Sequence, residues 1–209
     1  MKRHAPIPIA ASLLVAAWAL PAGDGLAQTP GGAEDAKIAS ALTAGPASIT
    51  AEAAVMDWPA GEGGAMTELR PGTNGWVCLP DVPSTPGDDP MCLDPVFQEW
   101  AAAWQGKTAP AIESVGLAYM LMGGTDASNI DPYATAPAEG EEWIEAGPHV
   151  MIVVPDPALL EGITTNPDSG GPFVMWQGTP YAHIMMPVGP AKEHDMHKMH
   201  RMDKEADKD

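Results

Sequence analysis

The chain has 209 residues and carries 28 acidic against ten basic side chains, a formal net charge of −18 at pH 7. Between residues 28 and 190 the only basic side chains are Lys37, Arg70 and Lys107. Such a negative field repels phosphate backbones and anionic lipid, which argues against a nucleic-acid partner, and it attracts cations. The same acidity also fits the simpler role of keeping an exported protein in solution.

The first 27 residues have the pattern of a secretory signal peptide. Lys2 and Arg3 form a short basic region, an apolar run of about 11 residues covers Ala10–Leu20, and Gly25–Ala27 supplies small residues for cleavage. A bilayer span needs roughly 20 apolar residues, so the run predicts no retained membrane anchor. We therefore expect an exported protein, periplasmic or extracellular, with a single domain after cleavage.

Residues 28–47 are predicted to form a leader with one short helix. Ile38, Ala41 and Leu42 have the i, i+3, i+4 spacing of a helix over Lys37–Ala44. Strand-like segments separated by Gly and Pro turns come next. They cover Ser48–Trp58, Met66–Leu69 and Gly75–Leu79. The globular domain is accordingly predicted to begin at residue 48.

Cys78 and Cys92 are the two cysteines of the chain. An even pair in an oxidising compartment predicts a disulfide bond. The enclosed loop LPDVPSTPGDDPM is stiffened by its prolines, and closing a loop of roughly 15 residues stabilises a fold by about 3 kcal/mol. The alternative is a thiolate that binds metal or acts as a nucleophile.

The clearest helix of the sequence covers residues 95–105. Asp94 is a suitable N-cap, Pro95 suits the first helical position, and Gly106 suits the end. Apolar side chains at helical spacing form a single stripe. They are Phe97, Trp100, Ala101 and Trp104. The two tryptophans of this stripe are interpreted as core residues rather than as a platform for a sugar.

Apolar runs later in the chain complete the predicted sheet. Val115–Met122 is apolar on both faces and predicts a central strand, and His149–Val154 is a second apolar strand between two prolines. Pro172–Gln177 and Tyr181–Met186 predict a hairpin. The sequence therefore predicts an α+β fold, with one domain over residues 48–190, a mainly antiparallel sheet, and a disordered polar tail over residues 191–209.

Several segments together resemble an uncharacterised family of exported bacterial proteins. They are GTNGWVCLPD, DDPMCLD, GGTDASNIDPYAT, GPHVMIV and MWQGTPYAHIMMPV. The resemblance covers roughly residues 48–188. It implies export and a single domain, and it implies no particular activity, cofactor or catalytic residue.

The tail contains the stretch HDMHKMHRM, three consecutive H-x-M triplets. Their imidazoles and thioethers belong to His194, Met196, His197, Met199, His200 and Met202. Soft ions such as Cu(I) and Ag(I) prefer these donors, and short His-rich tracts are a metal-binding composition. We expect the tail to bind a soft metal ion, copper above all. Zinc or nickel bound by the histidines alone, or a local duplication without function, are the alternatives.

The same pair of residue types recurs on two predicted strands, as His149 with Met151 and His183 with Met185. Residues two apart on a strand project from one face, so each pair presents nitrogen and sulfur side by side. The spacing resembles the H-x-M ligand pair of bacterial periplasmic copper chaperones, and only the pair carries over. If the two strands are neighbours, the sequence predicts a His2Met2 site.

Ordinary packing is the alternative for these strand residues. The chain uses methionine freely as core filling, and a buried histidine often bonds to a backbone carbonyl. The other methionines of the predicted strands and their flanks are Met120, Met122, Met175 and Met186.

Two acidic groups contain oxygen ligands of the kind that bind calcium. One lies in the polar segment of residues 123–142 and comprises Asp126, Asn129, Asp131, Glu139, Glu141 and Glu142. The other lies near the cysteines and comprises Asp81, Asp88, Asp89 and Asp94. Neither has the regular ligand spacing of an EF-hand loop, so both are interpreted as solvated turns.

Two other classes of function stay open at this point. A hydrolase would use His149 or His183 as general base beside the acidic segment of residues 123–142, although no G-x-S-x-G elbow is present. A non-catalytic ligand-binding module of the cell envelope is the third class. Both histidines in one cleft with carboxylates nearby would favour the enzyme, and histidines on opposite faces of the sheet would favour the module.

Overall fold

The computed structural model of the chain describes residues 30–61 and 64–189. The predicted signal peptide and the tail, with its three H-x-M triplets, lie outside the described residues. Over the described ranges no helix has the length and apolarity that crossing a membrane requires.

The described residues contain three α-helices and ten strands. The helices are α1 (Pro30–Thr43), α2 (Ala47–Thr50) and α3 (Pro95–Gln105). The strands are β1 (Ala54–Asp57), β2 (Thr67–Arg70), β3 (Val77–Leu79), β4 (Met91–Leu93), β5 (Gly116–Met120), β6 (Gly124–Asp126), β7 (Ile144–Ala146), β8 (His149–Val153), β9 (Phe173–Met175) and β10 (His183–Pro187). Two 3₁₀ turns, Pro157–Leu160 and Pro167–Ser169, lie between β8 and β9.

Eight of these strands form one sheet in the order β2-β1-β3-β4-β5-β8-β10-β9, and β6 with β7 forms a small separate hairpin. The neighbours β1 and β3 run parallel, and the other pairs are antiparallel. The predicted α+β class with a mainly antiparallel sheet is thus confirmed. The predicted hairpin before and after residues 178–180 is confirmed as β9 and β10.

Helix α3 has the predicted bounds, and its N-cap also fixes it to the sheet. One carboxylate oxygen of Asp94 accepts a hydrogen bond from the backbone N–H of Phe97 at 2.7 Å, and the other accepts from the N–H of Leu117 in β5 at 2.8 Å. Gly116 lies directly beneath the helix, where a Cβ would come within 2.8 Å of the Phe97 nitrogen. Helix α3 therefore packs closely on β5 at its first turn.

The N-terminal part of the domain differs from the prediction. Helix α1 begins at Pro30, within the predicted leader, because proline suits a first helical position and Ala33, Glu34 and Ala36 are good helix formers. The predicted strand over Ser48–Trp58 is shorter, since α2 occupies its first residues and the strand starts at Ala54. Pro46 precedes α2 in an extended conformation and closes off the end of α1.

The two faces of the sheet have separate cores. Helix α1 covers one face at β1, β3 and β4, where the disulfide between Cys78 and Cys92 joins directly opposed residues of β3 and β4. Helix α3 covers the other face, which carries the larger core. Strand β5 is central, as predicted, but its side chains toward the first face, Leu117 and Tyr119, are only half-buried.

Candidate functional site

The face of the sheet under α3 carries a band of methionine and histidine side chains. Register places them opposite one another in cross-strand pairs, and the members of such pairs lie close enough to touch. The pairs are Met120 with His149, Met151 with Met185, and Met175 with His183. All six side chains are buried. Each histidine therefore has a thioether opposite it on the neighbouring strand.

Strands β8 and β10 are neighbours, which the predicted His2Met2 site requires. Their register brings Met151 and Met185 together but pairs His149 with Pro187. His183 lies beyond the other end of the methionine pair, four residues from His149 along the ladder, which corresponds to roughly 13 Å of strand. The structure thus brings the two sulfurs together and places the two imidazoles on either side of them.

Both histidines use the same ring nitrogen to bond to the backbone. Nδ1 of His149 lies 2.7 Å from the carbonyl oxygen of Gly147, and Nδ1 of His183 lies 3.0 Å from that of Tyr181. Since a carbonyl only accepts, each Nδ1 carries a proton, and in a neutral ring Nε2 is then the unprotonated nitrogen. A backbone bond of this kind fixes the orientation of metal-binding histidines, and it is equally compatible with packing.

His183 is held as a neutral imidazole. It is 2% exposed and lies edge-on to the rings of Trp100 and Trp176, at centroid distances of 5.3 and 5.0 Å. Burial lowers the pKa of His183 to about 4, the bond to the Tyr181 carbonyl opposes that shift, and the charge of His149 adds to it. A metal ion or ligand would therefore find an unprotonated nitrogen here at neutral pH.

A cavity of about 520 Å³ lies between α3 and the sheet, with His183 in its wall. Its size is within the range of roughly 300–1,000 Å³ that small-molecule sites occupy. The described methionines and tryptophans that line it are Met56, Met66, Met91, Met120, Met151, Met175, Trp58, Trp100, Trp104 and Trp176. The walls are therefore mainly thioether and indole surface.

The cavity has a polar part formed by two carboxyl groups and two threonines. The buried Asp89 accepts hydrogen bonds from Thr125 Oγ1 at 3.2 Å and from Thr85 Oγ1. Gly87 makes this arrangement possible, because a Cβ there would overlap the Thr125 hydroxyl. The polar segment before β4 and strand β6 therefore meet at the cavity.

Asp126, at the end of β6, is the second carboxyl group of this wall. It is half-buried, and it accepts no hydrogen bond from any of the described residues. Burial, and then the charge of Asp89, raise the pKa of Asp126 to about 7. Among the described residues that line the cavity there is no lysine or arginine.

Hydrogen bonds from Trp176 and Trp104 hold the segment after Asp126 against the cavity wall. Trp176 donates from its backbone N–H to Asn129 O at 2.8 Å and from its ring to Ser128 O at 2.9 Å, and the ring of Trp104 donates to Pro132 O at 3.1 Å. Trp176 has a φ of 57°, a left-handed conformation that costs a non-glycine residue of the order of 1–3 kcal/mol and that clusters at ligand sites. The surrounding bonds hold it there.

Two of the acidic residues lie in a different environment from the one that the sequence predicted. Asp126 and Asp89 were expected in solvated turns, and both instead line the cavity. The other acidic members of the first group, Asp131 and the three glutamates, are exposed. Within the described ranges no group of three or more His, Cys, Asp or Glu side chains is arranged to hold a metal ion. The sequence around Asp89 gives no local sign of its burial.

The cavity also bears on the general-base hypothesis. His183 and Asp126 line it together, whereas His149 is not among the described lining residues. A neutral histidine whose pKa is about 4 is a weak base. The hydroxyl groups of the described lining belong to Thr85 and Thr125, and both donate to Asp89. Both histidines lie on one face of the sheet and only His183 lines the cavity, so neither the arrangement expected for the enzyme nor the one expected for the module is present.

Comparison with known proteins adds no relative to this picture, since no protein-family model, curated protein or solved structure matches the chain. Function is therefore inferred from the cavity and from the side chains around it.

Proposed function

We propose that this is an exported, non-catalytic binding protein that takes a small, mainly apolar molecule into the cavity between α3 and the sheet. The observation that carries the proposal is the cavity of about 520 Å³ with thioether and indole walls. Concave, mainly apolar pockets of roughly 300–1,000 Å³ are the usual sites for small molecules, and this one has that size and lining. The disulfide and the signal-like N-terminus support export.

The lining suits this role in two ways. Methionine is unbranched and polarisable, so it adapts its shape to a ligand, while tryptophan offers a large rigid surface. Trp176 stacks between Trp100 and Trp104, at centroid distances of 6.3 and 5.7 Å, and hydrogen bonds hold Trp176 and Trp104 to the segment at residues 128–132. The cavity therefore has a rigid wall of tryptophan side chains and, on the sheet, an adaptable floor of methionine side chains.

A fluorescence titration tests this proposal. N-phenyl-1-naphthylamine, a neutral dye that brightens in apolar sites, should bind the full chain saturably. Ala101→Trp fills the cavity from α3 and should abolish the signal, because Ala101 is half-buried in the cavity wall. Glu99→Trp adds the same indole to an exposed position of α3 outside that wall and should leave the signal unchanged. Equal binding by all three proteins, or none by the unaltered chain, would overturn the proposal.

Soft-metal binding is a second candidate, favoured by the cross-strand pairs. His183 faces Met175 and His149 faces Met120, and both imidazoles use Nδ1 for the bond to the backbone. Thioether and neutral imidazole are the donors that Cu(I) prefers, and neither loses a proton on binding. The tail residues His194 to Met202 would collect the ion, and the strand pairs would hold it.

Cu(I) competition with a chromophoric chelator tests the second candidate. The full chain should bind more tightly than about micromolar, roughly −8 kcal/mol. Gln in place of His194, His197 and His200 measures the share of the tail, and Met175→Leu measures the share of the sheet. Met186→Leu, on the opposite face of β10, is the matched control. Binding weaker than micromolar by the full chain would exclude this candidate.

A further inference from the structure

The cavity proposed as the ligand site has one acidic wall, and the negative charge of this wall restricts the chemical class of ligand that can bind. Asp126 and Asp89 both line it, and the described lining contains no lysine or arginine that would neutralise them. Asp89 already has two hydroxyl donors, from Thr85 and Thr125, whereas Asp126 has no hydrogen-bond donor among the described residues. Asp126 is half-buried, so its carboxyl group is placed to pair with a positively charged group of a ligand.

The remaining walls offer surfaces that attract positive charge. The faces of indole rings bind cations through the ring quadrupole, and quaternary ammonium groups are commonly recognised in this way. Trp58 forms part of the wall on the side of the segment that carries Asp89, since its ring nitrogen donates to Pro80 O at 2.8 Å. At the edge of the aromatic cluster, Lys107 Nζ already lies 5.0 Å from the ring of Tyr133.

We infer that the ligand is an organic cation, an amine or quaternary ammonium compound whose charged group lies beside Asp126 and whose apolar body fills the space between the methionines and tryptophans. This inference rests on the binding function proposed above. The net charge of −18 acts in the same direction at long range, because it raises the local concentration of cations.

The same geometry argues against a hard metal ion and against an anion. Calcium requires six to eight oxygen ligands and magnesium requires six. Here the oxygens of Asp89 are already used by two threonines, and the walls beyond them are sulfur and aromatic carbon. An anion would meet two carboxyl groups in a wall without a basic residue. An organic cation needs only one carboxylate and an apolar surface.

Isothermal titration of two molecules of the same shape tests this inference. Benzyltrimethylammonium carries the charge, and neopentylbenzene replaces its nitrogen with carbon. At pH 8, where Asp126 is ionised, we expect the full chain to bind the cation at least about tenfold more tightly than the neutral compound. Asp126→Asn should remove about that factor for the cation and leave neopentylbenzene unchanged.

Asp131→Asn is the matched control. It removes the same charge from an exposed residue five positions away, and Asn keeps the oxygen that accepts from the N–H of Tyr133. It should change neither affinity. Equal affinity of the unaltered chain for both compounds would overturn the inference and leave the proposed binding function standing. Equal losses of cation affinity in Asp126→Asn and Asp131→Asn would overturn it as well, since the net negative charge of the chain would then explain the binding without Asp126. Failure to bind either compound or the naphthylamine dye would overturn both proposals.

Discussion

The two faces of the large sheet are filled in opposite ways. On the face under α1 the buried side chains are small and close together, with Ala41, Ala53 and Val55 packed against the disulfide. On the face under α3 they are long methionines and large indoles around a cavity. Alternate residues of the same strands point to the two faces. Their identities therefore decide which face is closely packed (the solid face, under α1) and which encloses the cavity (the hollow face, under α3).

This contrast separates stability from binding. Small, fully buried side chains and a covalent bond between neighbouring strands stabilise the fold without leaving room for a ligand. The other face gives up close packing and buries Asp126, both of which cost stability, and such costs are typical of binding sites. Substitutions on the two faces should therefore affect different measurements.

The largest expected effect is a gain of stability in Asp126→Asn at pH 8. The pKa of Asp126 rises from 3.8 to about 7 in the fold. Between these values the folded state keeps a proton that the unfolded state releases, so stability falls as pH rises through this window and stays low above it. At about 1.4 kcal/mol per pKa unit the penalty is at most about 4 kcal/mol. Urea unfolding should show Asp126→Asn gaining up to this amount at pH 8 and nothing below about pH 4.

His183 gives the opposite pH trend and must be separated from this effect. Its pKa is lowered from 6.5 to about 4, so the stability it contributes is complete above 6.5 and is lost as pH falls toward 4. The unaltered chain and Asp126→Asn both contain His183, so subtracting their free energies of unfolding at each pH removes the contribution of His183. A difference in unfolding free energy between the unaltered chain and Asp126→Asn that does not vary with pH would mean that the fold does not raise the pKa of Asp126.

The next largest effect concerns the face under α1. Replacing both Cys78 and Cys92 with alanine removes the bond between β3 and β4 and should lower the free energy of unfolding by about 3 kcal/mol, the loop-closure value for roughly 15 residues. Binding of the naphthylamine dye should be unchanged wherever the variant is folded, because the bond lies on the face opposite the cavity. Loss of dye binding by the folded variant would show that the faces are not independent.

Local signals in the sequence predicted much of the fold. Asp94, Pro95 and Gly106 marked the ends of α3 correctly, and the prolines around His149–Val153 marked β8, because caps and breakers act on their immediate neighbours. The start of α1 was missed, since its alanines and acidic residues extend the helix through a segment that has no apolar stripe.

The candidate site was predictable only in part, for a physical reason. Alternation along a strand placed His149 with Met151, and His183 with Met185, on one face. The register between β8 and β10 depends on pairing over more than thirty residues, so the separation of the two histidines had no local sign. The burial of Asp89 likewise arises from the close approach of Gly87 to Thr125, far apart in the chain.

A smaller effect is expected from Asp94, which holds α3 over the cavity. Asp94→Ala removes the cap of the helix and the acceptor for the Leu117 N–H, and should cost about 2 kcal/mol in thermal or urea unfolding. Asp94→Asn keeps one oxygen for the cap and should lose roughly half as much. Because α3 forms the rigid wall, dye affinity should fall in the alanine variant. Equal losses in both variants would show that the link to β5, rather than the cap, carries the stability.

The smallest effect on stability should come from the methionines of the cavity. Met120→Leu and Met175→Leu nearly conserve volume, and such exchanges usually change the free energy of unfolding by less than about 1.5 kcal/mol. Ala41→Leu, on the solid face, adds volume where there is no space and should cost about 1–3 kcal/mol. The leucines remove sulfur but keep apolar surface, so they should weaken Cu(I) binding and spare the dye. If instead each methionine exchange cost more than the alanine exchange, the hollow face would have to be as tightly packed as the solid one, and the adaptable floor assigned to the cavity would not exist.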